Sequence, residues 1–429
     1  MLDIKLIRSN SELVRRNLER RTDPDKLSLL DSVIDYDKKW RASITELNQM
    51  RRRRNEVSLE IADLKRTGKN EEAEEKIREA EALPPKIAET ENQVEQFSDL
   101  VRNGLMRIPN LLHESVPFGR DENDNVEIRR WGKPPNFDFE PRDHFEVAQG
   151  LDLIDGERAA KVAGASFFYL KNELVLLDMA IQRFAIDFLV KRGFKPIEPP
   201  LMIKRKPYEG VTDLADFESV MYKIQGEDLY LIATSEHPMA AMFMDEILIA
   251  EQLPLNLCGI SPCFRREVGS HGKYTKGLFR MHQFNKVEQF VFCLPEQSWQ
   301  IHEELQDNSE SLYQKLGLHY RVVNVCTGDI GIIAAKKYDT EFWMADDVFR
   351  ESGSNSNCTD YQARRLNIRY REKEGAPPIG FVHTLNNTAI ATSRTMLAIL
   401  EQYQQADGSV MIPEALRPYM NGMEVLRKE

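Results

Sequence analysis

Between positions 25 and 104, apolar residues return every three or four places in a chain otherwise rich in Glu, Lys, Arg, Asn and Gln and almost free of Gly. The first run is Leu27, Leu30, Ile34, Ile44, Leu47, Val57, Ile61 and Leu64. So narrow a stripe is a coiled-coil seam, because a helix lying on a globular core carries a wider apolar face. Thr67-Gly68-Lys69-Asn70 interrupts it with residues that favour turns. A second run follows through Ala73, Ile77, Ala80, Leu83, Ile87, Val94, Phe97 and Val101. Two long helices joined by a tight turn make an antiparallel hairpin. At ~1.5 Å per residue, about 40 helical residues reach about 60 Å, so an arm is expected. Pro84-Pro85 falls inside the second run, where the missing backbone donors predict a kink or short break near Leu83.

Arg51, Arg52, Arg53 and Arg54 follow one another on the first helix, with Lys65 and Arg66 near its tip. Two readings stand side by side: a solvated face balanced by nearby glutamates, or a strip that tracks the phosphates of a partner. The overall charge does not decide between them. Acids outnumber bases 69 to 58, for a net charge of -11, which argues against a protein that coats nucleic acid non-specifically and leaves room for a local basic patch.

At 41 % hydrophobic residues, the 429-residue chain has matter for a large core, which excludes a mainly disordered protein. No window holds the ~18 unbroken apolar residues of a membrane span, and the start, MLDIKLIRSNSELVRRN, lacks the apolar core of a signal peptide. Cys258, Cys263, Cys293, Cys326 and Cys358 form no CxxC pair, so reduced thiols in a cytoplasmic protein are expected rather than disulfides or a zinc knot.

The chain turns irregular and proline-rich over 108–141, which divides it into a domain at 1–107 and a second at 108–429. In the second, helices are expected at 173–192, 237–251, 296–316 and 393–404, and strands at 194–202, 229–233, 256–264, 283–293, 320–325 and 340–345. Strands joined by short loops, with helices between, predict an α+β body on a mostly antiparallel sheet.

Three segments carry chemistry. Cys263-Phe264-Arg265-Arg266-Glu267 leads through a glycine-rich loop to Phe279-Arg280-Met281-His282-Gln283-Phe284, a strand, loop and strand. Arg265 at a strand end can fork onto a phosphate, Glu267 shares its face, and Phe284 offers an aromatic face to a purine. Spacing alone fits an ordinary salt-bridged hairpin equally well. Arg350-Glu351-Ser352-Gly353-Ser354 sets a carboxylate and a hydroxyl three residues apart, hard oxygens suited to Mg²⁺ carrying phosphates. Small polar residues at 384–393 lead into a helix whose early Arg394 can reach a phosphate tail. There is no GxxxxGK[ST], so a P-loop is excluded.

The arm, FRRE continued by EVGSHG, FRMHQFNKVEQF and TDYQARR together make the chain similar to the seryl-tRNA synthetases, over Met1 to about Met411. EVGSHG and LNNTAIATSR look closer to the archaeal and eukaryotic cytosolic branch. The resemblance implies a class II antiparallel sheet flanked by helices, preceded by a tRNA-binding domain with a coiled-coil arm. It implies ATP-dependent activation of L-serine to seryl-adenylate, then transfer to the 3′ end of tRNA(Ser), with tRNA(Sec) a further candidate. Arg265 and Arg394 take the catalytic roles, on the α- and γ-phosphates. Arg266, Glu267, Met281, Phe284 and the run Glu351, Ser352, Gly353, Ser354 complete the ATP site, and Glu351 and Ser354 hold Mg²⁺. Thr234, Ser235, Glu236, Glu288 and Thr388 form the serine pocket, without zinc. Arg51, Arg52, Arg53, Arg54, Lys65 and Arg66 are the arm's candidates for tRNA contact. The helix at 174–192 and the strand after it match the motif that builds the family's dimer, so a cytoplasmic homodimer with tRNA bound across subunits is expected. Asn387, Ala389 and Ser393 depart from the glycine-bearing bacterial pattern. Relatives that load carrier proteins lack the arm, and non-catalytic paralogues tend to lose the ATP arginines or pocket acids, so both rival readings are disfavoured.

Overall fold

The computed structural model describes residues 1–21, 23–213, 219–267 and 277–428. The glycine-rich part of the loop after Glu267 lies outside them. Two units divide the chain, Met1–Pro109 and Asn110–Glu429.

The first unit is helical: α1 (Ile4–Ser9), α2 (Ser11–Glu19), α3 (Pro24–Arg66) and α4 (Asn70–Arg107). Asp23 caps α3 by accepting from the Asp25 amide, and Pro24 occupies the first helical position, where its missing donor costs nothing. Gly68, at φ +77°, makes the turn between the long helices. Leu30, Val33, Leu47 and Val57 of α3 are buried, as are Ala73, Ile87, Val101 and Leu105 of α4. The seam of α3 differs from expectation at two turns: Ser43 is buried where Ile44 is only half-buried, and the other turn lies nearer the start of the helix. Val33 and Asp37 are buried there, while Ile34 is only half-buried. Asp37 is tolerated in the seam because Arg8 and Arg41 both donate to its carboxylate, at 3.0 Å each from Nε to Oδ2. These two guanidiniums hold the Asp37 carboxyl below its usual range against the opposing effect of burial. Gly104 lies so close to Val33 that a Cβ there would collide with the valine methyl. Of the kink or short break expected near Leu83, the break is absent: α4 runs through Pro84 and Pro85. Two backbone bonds are forfeited there, and α4 still buries Ala73 before the prolines and Ile87 just after them.

The second unit is built on an eight-stranded sheet: β1 (Val126–Trp131), β2 (Lys195–Ile197), β3 (Leu255–Phe264), β4 (Gln283–Cys293), β5 (Tyr320–Asn324), β6 (Lys336–Trp343), β7 (Phe349–Asn357) and β8 (His383–Ala391), in the order β1-β5-β6-β7-β8-β4-β3-β2. Every pairing is antiparallel except β2 with β3. Its helices include α5 (Glu173–Lys191), α6 (Glu236–Ala240), α7 (Ser298–Lys315), α8 (Tyr361–Leu366) and α9 (Thr392–Gln402).

Alternation along β4 separates two cores. Val287, Val291 and Cys293 join Leu177, Ile181, Leu305, Leu312 and Met396 of α5, α7 and α9. Phe290 and Phe292 join Met239 and Ala240 of α6 and Ala363 and Leu366 of α8. Lys286 and Glu288, in step with Phe290 and Phe292, therefore share a face with α6 and α8, while Phe284 also packs against the first core.

Three expectations need correction. The helix at 237–251 is only Glu236–Ala240, followed by a short strand at Ile247–Ile249 that runs parallel to Arg369–Arg371. Asp245, at φ +64°, stands between them in a conformation no helix accepts. The strand at 194–202 splits into Lys195–Ile197 and Met202–Ile203 around Pro199-Pro200. The central strands β7 and β8 were not expected. All five cysteines are buried and free. Among the described residues no helix is long and apolar enough to cross a membrane.

Candidate active site

A cavity of about 470 Å³ opens on the α6 and α8 face of the sheet, walled by β4, β7, β8, the residues just after β3 and segments 211–213 and 329–334. Its two parts differ in charge.

One part is cationic. Arg265 emerges where β3 ends, and its amide donates to the His282 carbonyl at 3.0 Å, which ties it to the returning strand. Its guanidinium carbon lies 5.3 Å from the centroid of Phe284, and its Nε donates to the Ala233 carbonyl at 3.3 Å. No carboxylate pairs with it among the described residues. Arg394, in the first turn of α9, lies 5.1 Å from the centroid of Phe279 and donates to the Glu351 carbonyl at 2.7 Å. Its Nη1 is also 3.2 Å from Glu351 Oε1. Crowding by the cavity wall works against the charge on Glu351, but Arg394, Lys337 and Arg265 outweigh it and hold the carboxyl at about 2. Ser354, opposite Asp339 on β6, lines the same wall. Burial pushes the Asp339 carboxyl up, against the pull of Lys337 at 3.1 Å. Glu267 pairs with Arg280 at 3.3 Å. Met281, Ser352 and Gly353 also line the cavity.

The other part is anionic. Glu288 and Lys286 form a buried ion pair on β4, and Thr388 Oγ1 on β8 donates to Glu288 Oε2 at 3.4 Å. Glu236, at the start of α6, accepts from Asn386 Nδ2 at 3.0 Å, and its amide donates to Thr234 Oγ1 at 3.2 Å. Burial and the nearby Glu288 push the Glu236 carboxyl up to about 7, with Lys286 opposing.

Of the residues singled out in the sequence for ATP and serine, two stand apart. Arg266 is exposed, and its amide donates to the Val220 carbonyl. Ser235 is fully buried behind the wall, packed so tightly on Gly259 that a Cβ there would sit 2.6 Å from its Oγ. The others line the cavity together. Sequence reasoning missed Lys286, Asn386, Lys337, Asp339 and Gln362. Alternation carries the signal for the first two, since each stands two residues before a singled-out residue on a strand.

On the hairpin, Arg51 pairs with Glu91 at 2.8 Å, Arg52 with Glu56 at 2.8 Å and Arg66 with Asp63 at 2.7 Å. Arg53 bridges the two helices, 2.6 Å from Glu79 and 2.9 Å from Glu60, and Lys76 joins the same two acids. Arg54 and Lys65 are exposed and have no ion pair among the described residues.

An antiparallel sheet with arginines at the end of one strand and in the first turn of a late helix defines a class II synthetase core, and the family model described as tRNA synthetase class II core domain (G, H, P, S and T) matches residues 220–403. The model for the seryl-tRNA synthetase N-terminal domain matches residues 1–112. A serine–tRNA ligase from Methanocella arvoryzae is 56% identical over 427 residues, 99% of this chain and 100% of the relative. The crystal structure of seryl-tRNA synthetase from Pyrococcus horikoshii complexed with ATP superposes with a TM-score of 0.96 at 47% identity, covering 100% of both chains. The cytoplasmic serine–tRNA ligase from Naegleria fowleri in complex with AMP gives 0.88 at 38% identity, covering 100% of this chain and 99% of that one. The chain belongs to the seryl-tRNA synthetase family. Its reaction is that of a serine–tRNA ligase: L-serine is activated by ATP and transferred to tRNA.

Proposed function

We propose that the two parts of the cavity divide this reaction. ATP lies along Arg265, Arg394 and Phe284, and L-serine lies against Glu236, Glu288 and Thr388. The observation that carries the reading is the polarisation itself. Two guanidiniums resting on aromatic rings face phosphate charge, while two carboxylates face an ammonium group and a hydroxyl. The serine carboxylate, ionised at neutral pH, attacks the α-phosphorus and pyrophosphate departs, so no general base is required. Negative charge grows on the phosphoryl oxygens, and Arg265, already fixed by Ala233 and Phe284, meets it without reorganising. Arg394 neutralises the leaving pyrophosphate. Glu351, kept ionised, and the Ser354 hydroxyl are hard-oxygen donors suited to Mg²⁺ and would hold it. Bound Mg²⁺ would neutralise phosphate charge.

Residues 1–107 serve as the tRNA-binding domain and 108–429 as the catalytic domain. Arg54 and Lys65, lacking ion pairs among the described residues, are the hairpin's readiest phosphate contacts. The protein works as a cytoplasmic homodimer that binds tRNA(Ser) across subunits, and exposed Leu176, Met179 and Val190 on α5 supply apolar surface for that interface. Charging of tRNA(Sec) belongs to the same proposal. Serine-dependent pyrophosphate exchange with ATP and Mg²⁺, followed by charging of each tRNA, is the test. Exchange with alanine or threonine equal to that with serine would overturn the pocket assignment.

A further inference from the structure

Glu236 presents its two oxygens unequally. Oε1 accepts from Asn386 Nδ2 at 3.0 Å and from Gln362 Nε2 at 3.5 Å. Oε2 has no partner among the described residues. A carboxylate tied by one oxygen cannot swing, so the other stays aimed where the fold puts it, toward the cavity that Glu236 lines.

Gln362 can do this because its own amide is fixed. It is fully buried on α8. Its Oε1 accepts from Thr384 Oγ1 at 2.6 Å, and its Nε2 donates to the Val211 carbonyl at 3.1 Å as well as to Glu236. Flipping the amide would turn its oxygen against a carbonyl and a carboxylate, so only one orientation satisfies all three partners. Arg365, one turn along α8, secures the same stretch of wall, donating to the carbonyls of Glu209 at 3.2 Å and Thr212 at 2.8 Å.

We infer that Gln362 is a positioning residue for serine: by holding Oε1 of Glu236 and the wall at Val211 together, it presents Oε2 to the ammonium group of the amino acid. The inference rests on the reading of Glu236 as the ammonium site. It makes a specific demand, since a donor to Glu236 favours the ionised form that an ammonium needs. The charged and titratable groups facing Glu236 are Glu288 and Lys286 from β4, Arg265 after β3, Cys358 after β7, Tyr208 from the helix Arg205–Val211 and neighbouring His237. Removing Gln362's amide leaves those in place and takes away one donor that lowers the carboxyl.

The test is pyrophosphate exchange by the full-length enzyme carrying Gln362→Met, which keeps length and loses both polar functions, with Glu236→Gln in parallel. Gln362→Met is expected to raise the serine KM about tenfold, the loss appropriate to one donor on a charged group, with the ATP KM within about twofold of wild type. The pH below which the serine KM climbs is expected to move upward. An unchanged serine KM and pH profile would overturn the inference, as would equal rises in both KM values with an unmoved pH profile, which is the mark of a merely structural residue. If Gln362→Met fails to fold, Thr384→Val, which releases the Gln362 oxygen and leaves the glutamine, takes its place: a smaller change in the same direction supports the inference, and no change in serine KM or pH profile overturns it. Should Glu236→Gln itself leave the serine KM unchanged, the ammonium reading fails. Should Glu236→Gln raise it while Gln362→Met does not, only the role of Gln362 fails.

Discussion

The hairpin and the cavity use the same side chain in opposite ways. Arg53 on the hairpin is matched by two carboxylates, Glu60 and Glu79, and Lys76 closes the group. Arg265 in the cavity rests on an aromatic ring and a backbone carbonyl, with no carboxylate partner among the described residues. Arginine in the first setting fastens helix to helix. In the second it is held by a ring and a carbonyl without an ion-pair partner, an arrangement suited to the anion-binding role proposed for it. Arginine content alone therefore says little about function, whereas the partners around each guanidinium say a good deal.

Four measurements sharpen or break this contrast. The largest effect is expected for Arg265→Ala, which removes a charge that nothing else replaces. Serine-dependent pyrophosphate exchange should fall by ~10²–10³ with the melting temperature little changed. Near-normal exchange would show that the lack of a carboxylate partner at Arg265 has no catalytic meaning.

The next effect is one of pH. Glu236 has a carboxyl raised to about 7, so it is ionised above that and protonated below it. Only the ionised form attracts an ammonium group, so the serine KM should climb by about tenfold per pH unit as pH falls below 7. The ATP KM should stay level over the same window, because Glu351, held at about 2, remains ionised throughout. Parallel rises in both would contradict the division of the cavity into two parts.

Thr388→Ala should weaken serine activation and narrow the serine-to-alanine gap by roughly tenfold, since the variant no longer asks for a hydroxyl. Threonine should gain relative to serine. An unchanged serine-to-alanine ratio removes Thr388 from the hydroxyl site. The smallest effect belongs to the hairpin itself. Arg53→Ala should lower the melting temperature slightly through the lost link to α4, while Arg54→Ala should not, as differential scanning calorimetry would show.

The sequence made these two regions legible to different degrees, for a physical reason. A coiled-coil seam is local: residues three and four apart in the chain are neighbours in space, so the hairpin and its turn at Gly68 could be read directly. What the pattern could not supply was register, which burial of Asp37 shifts by one place. Nor could it foresee that α4 would stay helical at Pro84 and Pro85. The cavity draws instead on strands far apart in the chain. Strands β3 and β4 are apolar enough to read as strands, but β7 and β8 carry Glu351, Ser352, Ser354, Asn386, Asn387 and Thr388 and look like polar loops. Their burial is made tolerable by cross-strand and helix partners that no local pattern contains, such as Gln289 Nε2 donating to Asn387 Oδ1 at 2.8 Å and Asn355 Nδ2 to the His302 carbonyl at 2.8 Å. Phosphate contact by Arg265 and Arg394 could be read from the residues themselves, whereas the roles proposed for Glu236 and Thr388 came from resemblance to a family. The amides that hydrogen-bond to Glu236 emerged only in three dimensions.

The central claim is that the cavity activates serine while the hairpin's cations that lack ion pairs serve tRNA. The most direct test compares pyrophosphate exchange with tRNA charging on one preparation of the double variant Arg54→Glu, Lys65→Glu. The account predicts exchange at the wild-type rate, a raised KM for tRNA and a salt dependence of binding shallower by about two counterions. Charging at the wild-type KM with an unaltered salt slope, or a matching fall in exchange, would contradict it.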